Sequence, residues 1–222
     1  MQKFATTGPV SVVLDVPAGR IRFVAADQDG AVVEVAPADA GKSRDVKTAE
    51  ATTVDYRDGI LRIETAEAKN RLVGATGSLE VTVQLPAGSR IQAKTASAEL
   101  HSTGRLGDVT YESAHGTISL DETAAARLTL QAGDISVTRL GGSAQISTQK
   151  GDITITEAVT GTVTLRTEAG NLHIGAAPGT SASLDAGTGH GRIHNSLQNA
   201  GNTPALNIQA TTAYGDITAR TL

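Results

Sequence analysis

The sequence predicts an all-β protein: a β-solenoid, a β-helix-like stack of two-strand rungs, with an N-terminal β-sheet or sandwich cap. Three observations carry that expectation. A short phrase recurs through the second half, as GTISL from Gly116, GDISV from Gly133, GDITI from Gly151, GNLHI from Gly170 and GDITA from Gly215, with a degenerate copy, GRIHN, from Gly191. Successive glycines are about 17 to 24 residues apart, at the short end of the periods that mark stacked repeats. Aromatic residues make up only 2% of the chain, as suits a narrow interior filled by Val, Ile, Leu, Ala and Thr.

Residues 1–88 read as a separate cap region, with SVVLDV, RIRFVA, AVVEVA, TTVDYR, ILRIET and SLEVTVQL as alternating strands between Gly, Asp and Pro turns. Within it, PADAGKSRDVKTAEATT allows one short helix over KSRDVKTAEA. The stretch from Ala66 to Ser78 reads as a mobile loop. Both LDVPAGRIRFVA and VQLPAGSRIQAK place Pro-Ala-Gly between strands, so the cap is drawn on a related plan and the boundary near Pro86 is soft.

Residues 89–222 read as about seven rungs, cut at 89–106, 107–125, 126–143, 144–161, 162–181, 182–204 and 205–222. Two places after each glycine stands an apolar residue: Ile118, Ile135, Ile153, Leu172, Ile193 and Ile217. Flanking positions are polar, the period of two of a half-buried strand. A second strand precedes each glycine, as in RLTLQA, TVTLRT and ALNIQA. One rung has too little apolar surface to stand alone, so stability comes from stacking on its neighbours.

Composition excludes several functions. With a net charge of −4 and only Phe4, Phe23, Tyr56, Tyr111 and Tyr214 as aromatics, there is no basic groove with stacking platforms, and no nucleic acid partner is expected. The chain has no cysteine, hence no disulfide, thiolate metal site or cysteine nucleophile. No apolar run reaches the roughly 18 residues of a membrane span, and MQKFATTGPVSVVLDV lacks the core of a signal peptide. A complete chain of this kind is expected in the cytoplasm.

The phrases VPAGRIRFVAAD, TVDYRDGILRIET and VTVQLPAGS, the serial GDI copies, and the closing GRIHNSL and AYGDI together resemble the bacterial "putative adhesin" family of β-strand repeat proteins. The likeness spans nearly the whole chain. It implies a β-solenoid-like domain of unknown function, with the adhesin label resting on repeat architecture.

No catalytic, cofactor or metal residue is assigned. His173 and His194 share an outward column and are expected on adjacent rungs about 5 Å apart. His190 and Asp185 lie nearby in sequence, but the ligand order matches no zinc motif, and the histidines read as ordinary occupants of a polar column. Asp134 and Asp152, at the same place in consecutive rungs, are expected to hydrogen-bond the local turn rather than hold calcium. No G-x-S-x-G elbow, phosphate loop or dinucleotide fingerprint occurs, and no rung gathers the carboxylates of a polysaccharide-cleaving β-helix.

The last rung, ending at Leu222, is expected to lack a cap. Tyr214, Ile217 and Leu222 are therefore the candidate edge for binding a protein partner or a second copy, and one free end per chain favours a homodimer. The resulting reading is a non-enzymatic interaction or scaffold module. A surface adhesin or carbohydrate-binding module is the alternative, and a polysaccharide-acting enzyme a more distant one.

Overall fold

The computed structural model describes residues 1–66, 77–199 and 203–222. In chain order, β1 (Gln2–Phe4), β2 (Ser11–Asp15), β3 (Ala18–Ala26) and β4 (Ala31–Pro37) precede the helix α1 (Ser43–Glu50), and β5 (Thr52–Arg57), β6 (Ile60–Thr65) and β7 (Leu79–Pro86) follow it. Then come β8 (Arg90–Lys94), β9 (Ser97–Thr103), β10 (Arg105–His115), β11 (Ile118–Ala132), β12 (Ile135–Leu140), β13 (Ala144–Lys150), β14 (Ile153–Ala158), β15 (Gly161–Ala169) and β16 (Leu172–Ala176). The chain closes with β17 (Ala182–His190), β18 (Ile193–Ser196), β19 (Leu206–Tyr214) and β20 (Ile217–Thr221). The expected helix is present. Of the expected loop at 66–78, residues 67–76 lie outside the described residues.

The strands form two walls of a β-solenoid. One runs β5, β6, β2, β8, β10, the second half of β11, β13, β15, β19, β17. The other runs β1, β4, β7, β3, β9, the first half of β11, β12, β14, β16, β20, β18. Pairing between rungs is parallel, and among the described residues only β1, β4 and β5, at the N-terminal end of the stack, make antiparallel pairs. The apolar columns meet in one continuous core that runs from Val10 to Ala219. Strands on both sides of Pro86 share it: β2 pairs β8 and β3 pairs β9.

The inward column fills as the sequence indicates at Ile118, Ile135, Ile153, Leu172 and Ile217, each at most 1% exposed, but not at Ile193, which is 46% exposed because its rung is outermost. The repeated glycine turns the chain from one wall to the other. At Gly151 φ is 142°, and an added Cβ would sit 2.1 Å from the Gly133 carbonyl oxygen of the rung beside it, so no other residue fits. A polar ladder satisfies these tight bends. The buried hydroxyls of Thr167 and Thr212 donate to the carbonyls of Gly151 and Gly170, each at 3.1 Å, and Thr188 donates to Gly215 at 2.9 Å.

The residue after the glycine makes a second ladder. Asp134 Oδ1 accepts the backbone N–H of Asp152 at 2.8 Å, Asp152 Oδ1 that of Asn171 at 2.7 Å, Asn171 Oδ1 that of Asp216 at 2.9 Å, and Asp216 Oδ1 that of Arg192 at 2.8 Å. Each carboxylate or amide thus tethers the next rung, which accounts for repeated Asp where like charges would otherwise repel. Below this ladder an outward column alternates in sign, Arg105, Glu122, Arg139, Glu157, and the last two form an ion pair.

One expectation about order is corrected. The last two copies do not stack in chain order: β19 and β20 lie between the 161–176 rung and the 182–196 rung, so Ile217 pairs with Leu172 on one side and Ile193 on the other. The same exchange occurs at the other end, where β2 and β3 lie between β6 and β7 and β8 and β9. The copies from Gly116, Gly133, Gly151, Gly170 and Gly215 share one inward pattern and one left-handed glycine bend, so a later copy fits against an earlier one as well as its sequence neighbour does.

Candidate functional site at the end of the stack

The two ends of the stack differ. At the N-terminal end the outermost strands are β1, only three residues long and carrying Lys3, and β5, whose Asp55 and Arg57 are paired at 3.1 Å. Helix α1 packs against β4, β5 and β7, and buried Asp45 accepts the Ser78 N–H at 3.0 Å. Short, charged and covered strands are the usual protection of a sheet edge.

At the other end β17 and β18 are outermost. Each pairs on one side, with β19 and β20, and among the described residues no strand pairs the other side. Gln198 closes the edge only at its start, where its carbonyl accepts the Ala182 N–H at 3.2 Å. The segment 182–196 contains no Lys, Glu or Pro. Its single Arg192 is bound to Asp216 at 2.9 Å.

The apolar column stops here. Ile193 caps Leu172 and Ile217 and is 46% exposed, while the next inward place, apolar in the other copies, is held by Asn195. Leu184, Ala186 and Leu197 are partly buried against the core. Beside them the Tyr214 ring, 61% exposed, stacks on His190 with ring centroids 4.8 Å apart and planes 8° from parallel. Exposed aromatic and aliphatic groups next to unpaired backbone are the ingredients of a contact surface.

The expected edge of Tyr214, Ile217 and Leu222 is therefore relocated. Ile217 is fully buried and its strand is paired on both sides, because the 206–221 rung is interior. Tyr214 does reach the end, through its stack on His190. Leu222 is 46% exposed, but its N–H is bound to the Ala176 carbonyl at 3.1 Å, one rung further in. The residues missed from sequence are His190, Ile193 and the β17 edge. The signal present was the degenerate GRIHN phrase with its polar Asn195.

His173 and His194 are not on adjacent rungs. Thr218 stands between them, opposite both, so they are about 10 Å apart along the stack. Among the described residues no group of three or more His, Asp or Glu side chains is placed to hold a metal. Glu122 and Glu157 are each set against Arg139 rather than converging as an acid pair. A groove of about 580 Å³ beside α1 is lined by Arg20, Asp39, Lys42 and Glu99, but Lys42 pairs with Asp39 at 3.3 Å and Arg20 with Glu80 at 3.1 Å, leaving no convergent charge. Phe23 and Tyr111 are fully buried, so they offer no surface for stacking. No helix among the described residues is long and apolar enough to cross a membrane.

Parallel two-wall stacking, glycine bends and rung-to-rung side-chain ladders define a β-solenoid repeat protein. The chain belongs to the Toastrack DUF4097 family, a family of unknown function whose pattern matches residues 11–221. Among solved structures it is similar to a "putative adhesin" from Parabacteroides distasonis, at 15% identity over 100% of this chain and 95% of that one, with a TM-score of 0.50. A "putative adhesin" from Bacteroides fragilis matches at 11% identity over 98% and 95% of the two chains, TM-score 0.47. A "putative lipid binding protein" from Parabacteroides distasonis matches at 12% identity over 98% and 95%, TM-score 0.43. At 15% identity the first of these likenesses speaks to the fold alone. No curated protein matches the chain.

Proposed function

We propose that the protein is a non-enzymatic interaction module that engages a protein partner through the end of its stack formed by residues 182–196. One observation carries this reading: among the described residues, only this end leaves a long strand edge without cover or partner, its charges limited to Asp185 and the paired Arg192. An unpaired edge beside Ile193 and Tyr214 offers backbone hydrogen bonds for affinity and side chains for selectivity. The sign-alternating column on the second wall supports this reading, since Glu157 is paired with Arg139 and Glu122 stands in register with the same Arg rather than beside a second carboxylate.

The test uses photo-crosslinking side chains introduced singly at Ile193, on the end, and at Thr129, on the flat first wall, in cells that express the intact chain. Crosslinks concentrated at position 193 support the reading, and a pattern confined to position 129 overturns it. Release of reducing ends from a polysaccharide panel overturns the non-enzymatic part.

A second reading, a surface adhesin or carbohydrate-binding module, draws on the relatives described as putative adhesins and on the first wall. There Gln92, Thr110, Arg127, Gln145, Thr164 and Gln209 form one outward row of hydrogen-bonding groups. Crosslinks at position 129 to a glycan-bearing species favour it.

A further inference from the structure

We infer that the partner of the open end is a second copy of this chain, joined end to end about a two-fold axis. This rests on the proposed role of the 182–196 end and names its occupant.

The first argument is geometric. The end presents two unpaired strands at once, β17 on one wall and β18 on the other, with the capped core between them. An extended peptide pairs with one strand and leaves the other wet. A partner that pairs with both must carry two strands at the same spacing, and the terminal rung of another copy does so by identity.

The second argument is closure. With the N-terminal end blunted by β1, β5 and α1, each chain has one free end, so association by that end stops at two. A two-fold operation reverses strand direction, so β17 meets its copy antiparallel, the pairing that needs no crossover.

The third argument is charge and space. Centred on Ala186, the pairing sets Asp185 against Gly187 of the other copy and Ser183 against Gly189. No like charges face one another, and Gly187 has nothing within 4 Å of a Cβ position. Leu184 meets Thr188 and Ala186 meets itself, while exposed Ile193 gains an apolar neighbour across the joint. The end of a rung is small against the roughly 800 Å² per partner of a standard interface, so a weak dimer is expected, with a dissociation constant on the order of micromolar.

The experiment measures solution mass by light scattering across a concentration series, together with hydrogen exchange of the 184–196 amides, on the intact chain and on Ile193→Lys and Gly187→Asp. Gly187→Asp points into open space and sets like charge against Asp185 of the other copy, so it perturbs the joint without touching the core. Circular dichroism establishes that each variant folds. The expected result is a doubling of mass with concentration, protection of the 184–196 amides in step with it, and at least a tenfold weaker dimer in both variants. A monomer at every concentration with fast exchange at 184–196 overturns the dimer and leaves the open-end reading standing. A monomer whose 184–196 amides are already slow overturns both, since the end is then closed within one chain. A dimer that neither variant weakens, or an assembly that grows beyond two, overturns the two-fold end-to-end joint.

Discussion

Replacing Gly151 with Ala tests the central packing device of the stack. The substitution adds one methyl group at φ 142°, a conformation that costs a residue with a Cβ about 1–3 kcal/mol. The methyl would also lie 2.1 Å from the oxygen and 2.6 Å from the carbon of the Gly133 carbonyl, both backbone atoms that cannot swing aside. Relief requires the two rungs to part locally. That loosens the bonds joining them, from Gly133 N–H to the Lys150 carbonyl and from Asp152 N–H to Asp134 Oδ1, both at 2.8 Å, each worth about 1 kcal/mol net. Together these amount to about 3–5 kcal/mol, and a fall in midpoint temperature on the order of 10 °C for a chain of this size. The assay is thermal and urea unfolding beside Gly187→Ala, where a Cβ meets nothing within 4 Å and the backbone is not left-handed. The control is expected to shift stability by no more than about 0.5 kcal/mol. If Gly151→Ala unfolds within the same margin as Gly187→Ala, the argument that the bend admits only glycine is wrong.

Three further outcomes are expected. Asp152→Ala removes the acceptor that holds the Asn171 N–H at 2.7 Å and should destabilise by about 1 kcal/mol in urea, while Asp152→Asn keeps an acceptor and recovers most of it. Asp216 has its carboxyl held below the ordinary value near 3.8, first by the backbone N–H of Arg192 and then by the Arg192 side chain. Because the folded value is the lower one, its contribution is present above pH 4 and is lost as pH falls through the folded value, so an acid titration of stability should be flatter in Asp216→Asn. Tyr111 is fully buried with its hydroxyl 2.8 Å from that of Thr95, and burial raises its pKa above the ordinary value near 10. Its contribution is therefore full below pH 10 and is lost as pH rises through the folded value. Tyr111→Phe should cost about 1 kcal/mol at neutral pH and remove that alkaline loss, as followed by circular dichroism.

Much of this molecule is legible from its residues because the determinants are local. Gly followed by Asp and an isoleucine two places on encodes a bend, a tether to the next rung and an inward side chain, each within one rung or its neighbour. The polar segment before Thr52 likewise forms its helix over Ser43–Glu50. The Asp column, read from sequence as turn hydrogen bonding, serves as a rung-to-rung ladder, because the N–H that each carboxylate meets belongs to the next rung and not to its own turn.

Stack order is different in kind. Ile193 and Ile217 occupy the same place two residues after a glycine, and beyond the polar Asn195 that follows Ile193 nothing local orders the two rungs. Which one closes the stack follows from three-dimensional pairing, where β20 finds partners in both β16 and β18. That choice buries Ile217, leaves Ile193 exposed, separates His173 from His194 by Thr218, and moves the free edge from the last strand of the chain to residues 182–196. The amino acids thus specify the rung, since a rung is made of short-range bends and alternation. The order of rungs, and with it the candidate contact surface, comes from long-range strand pairing among copies that present nearly equivalent faces.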